Sequence, residues 1–324
     1  MSLSKFSFAA AALFMAGAMA TANAASFPTG PITLVVPTGP GGGTDLAARA
    51  FSEKLAQKLG QPVVIDNKTG AGGIIGTQAV ARAKPDGHTL LISSNQFGMI
   101  PAVQSKLPYD PKGDFIPITS VGVIPSLVIV NSSAPYSSLT DLIQHAKKEP
   151  GSVQYATAGI GSPNHLFAAM FANMADVNLL HVPFRGTAPA LLAVASQDVA
   201  LTFASYPASQ GMIASGKVKP LAVTSPKRLK ALPDVPTVSE TVPDYAIDIW
   251  LGIWGVAGTP QDVIDKLHAA IVETLEDPEV TKNLADQGII VETRSQSDFA
   301  AMADAELDLW KKVVDDSKGE IQRQ

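Results

Sequence analysis

The sequence predicts an α/β protein. Three observations predict it: short apolar runs alternate with helical patterns, glycine-rich turns join strand to helix, and two proline-rich stretches interrupt the alternation. The pattern is that of sheets that are mainly parallel and flanked by helices.

Residues 1–24 are set aside as a signal peptide. Lys5 precedes an apolar run over 6–20, and Ala22-Asn23-Ala24 supplies an A-x-A pattern that places cleavage before Ala25. That run is too short to span a bilayer, and no later stretch offers about twenty apolar residues without charge. The mature chain is therefore expected to be soluble and exported to the periplasm. Removing Lys5 takes Lys+Arg from 24 to 23 against 29 Asp+Glu, a net charge of about −6. That balance argues against nucleic acid, which needs concentrated positive charge. The absence of cysteine excludes disulfides, thiolate metal sites and a lipid-modified cysteine anchor.

Residues 32–36 form the first buried strand. In the helix after it Ala47, Phe51, Leu55 and Leu59 recur every four residues, and Gly60 stands where a terminating glycine belongs. Val63-Val64-Ile65 is the next strand. The turn from Asp66 to Gly73 opens a helix to about residue 83, and Pro85-Asp86-Gly87 leads into a strand over 89–93. This spacing means a parallel sheet covered on both faces, with ligands beyond the carboxyl ends of its strands, where the glycine turns and Ser94-Asn95 gather. Residues 101–126 carry Pro101, Pro108, Pro111, Pro117 and Pro125, and there the alternation pauses.

A strand over 127–130 begins a second unit with helix 139–148, strand 153–156 and helix 164–174. Strand 179–182, helix 190–195, strand 199–203, a helix to about 215 and strand 221–223 complete it. After a second proline-rich stretch, 225–243, residues 249–256 read as a central strand. Thr259-Pro260 supplies an N-cap and first-turn proline for helix 261–275, and Asp277-Pro278 repeats the device for a helix ending near Gln287. A strand at 289–291 precedes a terminal helix with Phe299, Met302, Ala303, Leu307, Trp310 and Val314 on one face. The pauses suggest two lobes, 25–125 plus 250–324 and 126–249, joined near 124–131 and 246–256. A single long sheet fits the alternation nearly as well.

The chemistry centres on Thr38-Gly39-Pro40-Gly41-Gly42-Gly43-Thr44-Asp45, a glycine turn that opens a helix. Such a turn leaves amides unpaired where the helix dipole favours negative charge. It either binds an anion, most simply a carboxylate, or is a tight connection that binds nothing. The second unit offers Thr157-Ala158-Gly159-Ile160-Gly161-Ser162-Pro163, with Ser162 as N-cap. A dipole contributes about 0.3–1 kcal/mol, up to about 2, whereas micromolar affinity needs about 8 kcal/mol. Two such turns closing on one ligand, with several charge-assisted hydrogen bonds, supply the difference.

Asp45 would repel an anion and is expected to turn back onto loop amides. Arg185, in the turn Phe184-Arg185-Gly186-Thr187, either pairs with a ligand carboxylate or is a solvated charge. His165 is expected to be structural and Arg49 an ion-pair residue. There is no G-x-S-x-G, no H-E-x-x-H and no P-loop lysine. Gly39-x-Gly41 with Asp66 is a near miss for a dinucleotide fingerprint, but Thr44 replaces its third glycine. An NAD-linked enzyme is thus a second reading; no cofactor and no metal are called for.

These turns, together with Pro85-Asp86-Gly87, His181-Val182-Pro183-Phe184-Arg185-Gly186, Ala222-Val223-Thr224-Ser225, Leu232-Pro233-Asp234-Val235-Pro236-Thr237 and Ala257-Gly258-Thr259-Pro260, follow one family's pattern in order over nearly the whole mature chain. The chain resembles the periplasmic substrate-binding proteins of tripartite tricarboxylate transporters, the Bug/TctC family. The resemblance implies a two-lobed Venus-flytrap (periplasmic-binding-protein) fold with two crossover strands. It also implies a monomeric, non-enzymatic receptor for a small organic carboxylate (a di- or tricarboxylate or an aromatic acid). Its partners would be integral-membrane transporter subunits or, alternatively, a sensor kinase. The resemblance puts ligand-facing positions at Thr38, Gly39, Pro40, Gly41, Gly42 and Asp45, with Ser94 and Asn95 nearby. In the second lobe it puts them at Thr157, Ala158, Gly159, Gly161, Ser162 and His165, then Arg185, Gly186, Thr187, Ala204 and Ser205. Many members carry Asp where this chain has Ala204, so the ligand is expected to lack a free amine.

Overall fold

The computed structural model describes residues 27–317 and 321, so the expected signal peptide lies outside the described residues. Two sheets carry the fold. The first comprises β1 (Ile32–Val36), β2 (Val63–Asn67), β3 (Thr89–Ser94), β4 (Phe115–Ile124), β10 (Ile249–Val256) and β11 (Ile290–Val291), in the order β11-β4-β10-β3-β1-β2. The second comprises β5 (Ser126–Asn131), β6 (Gln154–Thr157), β7 (Leu180–Pro183), β8 (Leu201–Ser205) and β9 (Val218–Val223), in the order β7-β6-β8-β5-β9.

One refinement concerns strand direction. β1 pairs parallel with β2 and β3, and β6 parallel with β7 and β8, as βαβ connections require. The strands that leave or enter at the crossings run the other way: β10 is antiparallel to β3 and β4, and β5 to β8 and β9. Each sheet is therefore mixed, with four strands running one way and β10 and β11, or β5, against them. A chain that crosses between sheets at one edge of a cleft must return in the opposite sense.

The helices cover both faces. α1 (Gly43–Leu59), α8 (Gln261–Leu275) and α9 (Pro278–Asp286) bury one face of the first sheet. α2 (Ile74–Ala81), α3 (Gln96–Val103) and α10 (Gln296–Asp316) lie on the other. On the second sheet, α6 (Thr187–Ala195) and α7 (Tyr206–Ala214) cover one face, and α4 (Leu139–Lys148) and α5 (Pro163–Ala175) the other. The cores do not respect the division between sheets. Met99, Ala102 and Val103 of α3, with Trp310, Val313 and Val314 of α10, join the core around α5, and Trp310 stacks on Phe167 with ring centroids 5.9 Å apart.

Two elements occupy the expected pause at 101–126. The last turn of α3 holds Pro101, and β4 tolerates Pro117 because it sits at an irregularity in the pairing with β10. Gly122 is needed there: a Cβ would stand 2.4 Å from the carbonyl oxygen of Ile290 on β11. One correction concerns α8. Pro260 rather than Thr259 is its N-cap residue, because the Thr259 hydroxyl donates backwards to the carbonyl of Val256 at 2.7 Å. Asp277 does cap α9, accepting from the amides of Glu279 and Val280.

Candidate functional site

The first glycine turn runs from the end of β1 to the N-cap of α1 at Gly42, which has no side chain to cap with. The first-turn amides of Gly43, Thr44 and Asp45 have no carbonyl four residues back within the helix. Asp45 is 1% exposed and turned inward. Its carboxylate accepts from the amide of Gly41 at 2.8 Å, from Asn67 Nδ2 at 2.9 Å and from Arg49 Nε at 3.0 Å. Burial pushes its pKa up, but the bonds from Arg49, Gly41 and Asn67 outweigh that and hold it below the usual carboxylate range. Gly41 (φ +80°) makes the bend, and its amide is spent on Asp45 rather than turned outward. Thr38 accepts at its carbonyl from Asn67 Nδ2, while its buried hydroxyl has no partner among the described residues.

The second turn is held differently. The amide of Gly161 (φ +76°) donates to Nδ1 of His165 at 3.1 Å, so the imidazole proton must sit on Nε2. That buried nitrogen has no partner among the described residues. His165 is fully buried and lies flat on His181, with centroids 4.1 Å apart and planes 15° from parallel. Burial, with His181 adding repulsion, pulls its pKa down to about 3, and burial lowers His181 as well. His181 Nε2 lies 2.6 Å from the hydroxyl of Thr157, which accepts from the amide of Gly159. The Ser162 hydroxyl donates to the carbonyl of Gly159 and does not cap α5, although Ser162 is the N-cap residue.

The start of α1 reaches the first crossing between the sheets. A Cβ on Gly43 would touch Ile124, whose register partner across β4 and β10 is Ile249. Ile249 in turn lines a cavity of about 100 Å³ together with the start of α5. Ser126, Asn164, Thr187 and Ser205 give the cavity polar side chains, and the starts of α5, α6 and α7 all open onto it. Ala158, Phe167, Phe203, Ala204 and Ile249 supply its apolar lining, and no charged side chain lines it.

A family model described as the tripartite tricarboxylate transporter family receptor matches residues 47–318. The chain belongs to that family. Among its relatives is a protein from the tcbD–tcbE intergenic region of Pseudomonas sp. strain P51, 36% identical over 291 residues that cover 89% of this chain and 87% of that one. Rhodopseudomonas palustris Rpa4515, solved with adipate, is 34% identical, covers 90% of this chain and 98% of its own, and superposes with a TM-score of 0.79. MatC of the same organism, solved with malate, is 32% identical with a TM-score of 0.76, over 89% of this chain and all of that one. The fold is accordingly the two-lobed one of periplasmic binding proteins. These family members are substrate-binding proteins, and among the described residues no helix is long and apolar enough to cross a membrane.

In this receptor Ala158, Thr187, Ala204 and Ser205 come together at the cavity, with Gly186 as the N-cap of α6. Gly39 accepts from the amide of Gly42, and Pro40 is exposed at the tip of the first turn. Ser94 is turned back, its hydroxyl accepting from the amide of Gln96. Asn95 is fully buried and ties β3 to the second crossing, its Nδ2 donating to the carbonyl of Asp248 and its amide to that of Trp250. Arg185 is exposed, has no ion-pair partner among the described residues and does not line the cavity. Its alternative as a solvated charge is the one this geometry favours. Sequence reasoning missed Ser126, Asn164, Phe167, Phe203 and Ile249. Ser126 and Ile249 flank the expected crossings, and that position was the available signal.

Proposed function

We propose that this receptor binds a small organic carboxylate between its lobes and delivers it, in the periplasm, to integral-membrane transporter subunits. The observation that carries the reading is the convergence of three helix starts on one uncharged cavity, beside the start of α1 across Ile124 and Ile249. Oriented amides and hydroxyls hold an anion without a cationic side chain. The relatives solved with malate and adipate support the same ligand chemistry. Thr38, Gly39 and Gly42 would face the carboxylate from the first lobe, and Thr157, Ala158, Gly159 and Ser162 from the second. Asp45, His165 and His181 act by holding the two turns in shape. Closure over the ligand biases an open–closed equilibrium through contacts made only when both lobes meet it.

The test is a thermal-shift and calorimetric screen of the mature chain against mono-, di- and tricarboxylates, aromatic acids and NAD. A binding acid stabilises the fold by about 2.7 kcal/mol at a hundredfold excess over Kd. If no acid raises the melting temperature, the carboxylate reading is wrong; a shift with NAD alone restores the enzyme reading. Ligand-dependent capture of a sensor kinase in place of transporter subunits would reassign the partner. Recovery of the chain in a periplasmic extract with Ala25 at its N-terminus checks its export.

A further inference from the structure

Resting on the carboxylate reading above, we propose that the body of the ligand is a short, uncharged aliphatic chain seated against Phe167, Phe203, Ala204 and Ile249. The preferred ligand is then a short monocarboxylate. The lining combines hydroxyls and helix starts with an apolar wall of two phenyl rings, a methyl group and a branched alkyl chain. Phe167 and Phe203 are each 1% exposed, so the apolar wall is part of the fixed core of the second lobe and does not swing aside for a polar group.

A second ionised carboxylate on that wall would lose its hydration with no counter-ion to replace it. The nearest formal charge held against the lining is also of the wrong sign. Asp248, next in the chain to Ile249, accepts from the hydroxyl of Ser225 at 2.6 Å and from the amide of Ser126, and Ser126 itself lines the cavity. An anionic far end would be repelled from behind by Asp248 and left bare in front by the phenyl rings. An ammonium would gain little from Asp248, which is occupied and does not itself line the space. Size adds a limit. At about 100 Å³ the cavity is smaller than the roughly 150 Å³ apolar cavity that accepts benzene, which favours a short alkyl chain over an aromatic ring.

The experiment is calorimetry on the mature chain with acetate, propionate, butyrate, pentanoate, succinate, glutarate, adipate, malate and benzoate. Affinity should rise about fourfold for each methylene added until the cavity is filled. Each dicarboxylate and benzoate should bind at least tenfold more weakly than the best monocarboxylate. Ala204→Val reduces the space on the apolar wall and should lower the pentanoate-to-acetate affinity ratio at least tenfold, with a thermal melt reporting that the variant is folded. A dicarboxylate or benzoate that binds as tightly as the best monocarboxylate overturns the proposal while leaving the carboxylate reading intact. A flat chain-length series does the same, as does an unchanged ratio in the folded variant. Binding of none of the acids overturns both.

Discussion

The turn before α1 is held by a carboxylate that stays ionised; the turn before α5 is held by imidazoles that stay neutral. In the first, Asp45 gathers the amide of Gly41, Asn67 and Arg49, and Arg49 is half exposed, so the network reaches solvent. In the second, His165 takes the amide of Gly161 from within a stack of Tyr155, His181 and itself, and nothing in it is charged. An ionic anchor with one half-exposed member is the more tolerant, because water can replace Arg49 beside the buried Asp45 carboxylate. A neutral anchor in the core is strict, because a proton or a void has nowhere to go.

The difference can be broken most forcefully at His165. His165→Ala removes an acceptor and a stacked ring from a fully buried site, and Val103, 2.9 Å from where a Gly161 Cβ would lie, cannot follow inward. A loss on the order of 2–4 kcal/mol is expected in urea unfolding, with weaker ligand binding. A loss below about 1 kcal/mol would mean that the imidazole does not organise the turn.

Acid should separate the turns next. The unfolded state binds protons to these histidines below pH 6.5, whereas the folded state resists until His165 reaches about 3. Their contribution is complete above pH 6.5 and is lost on acidification, at about 1.4 kcal/mol per pH unit for His165, with His181 adding in the same sense. Asp45, with its folded pKa lowered, loses its contribution only below the ordinary carboxylate range. Asp248 and Glu306 run in the opposite sense, because burial raises both to about 6 and their folded forms bind protons first. They therefore offset the histidines from about pH 6 down to the carboxylate range. Subtracting the stability profile of His165→Ala from that of the natural sequence cancels this background. The difference should shrink as pH falls from 6.5, and a flat difference would reject the neutral-anchor account.

The smallest effects belong to the ionic turn. Asp45→Asn keeps the shape but turns one of the two accepting oxygens into a donor that faces other donors, and should cost about 1–2 kcal/mol in the same unfolding assay. Arg49→Ala removes a half-exposed guanidinium from a buried carboxylate that keeps its bonds from Gly41 and Asn67, should cost less still, and part of that loss should disappear in high salt. An Arg49 effect larger than that of His165 would invert the comparison.

Local chemistry was legible in the sequence wherever a residue acts on its own neighbours. The helix over 139–148 is found at those bounds because Ser138 and Asp141 form a reciprocal capping box, and Gly60 ends α1 in the left-handed conformation its position announced. Tertiary compensation was not legible. Pro117 and Gly122 read as interruptions until the irregular pairing with β10 and the close carbonyl of Ile290 are seen. The same holds at the site. Both glycine turns were visible, but Phe167 and Phe203 look like any core residues, and only the folded chain shows that they wall a cavity. Glu306 was hidden for the same reason. It sits on the apolar face of α10 and accepts the indole N–H groups of Trp250, at 2.9 Å, and Trp310.

The place of β10 has a consequence for how the chain assembles. It lies between β3 and β4, so neither of those strands reaches its final neighbour until residue 256 has been made. Sheet two draws all its strands from one continuous stretch and can form as soon as that stretch is complete. In sheet one β1, β2 and β3 can pair at once, but β4 waits for β10 across more than a hundred intervening residues, a long loop to close. The half of that sheet made first is thus also the half completed last.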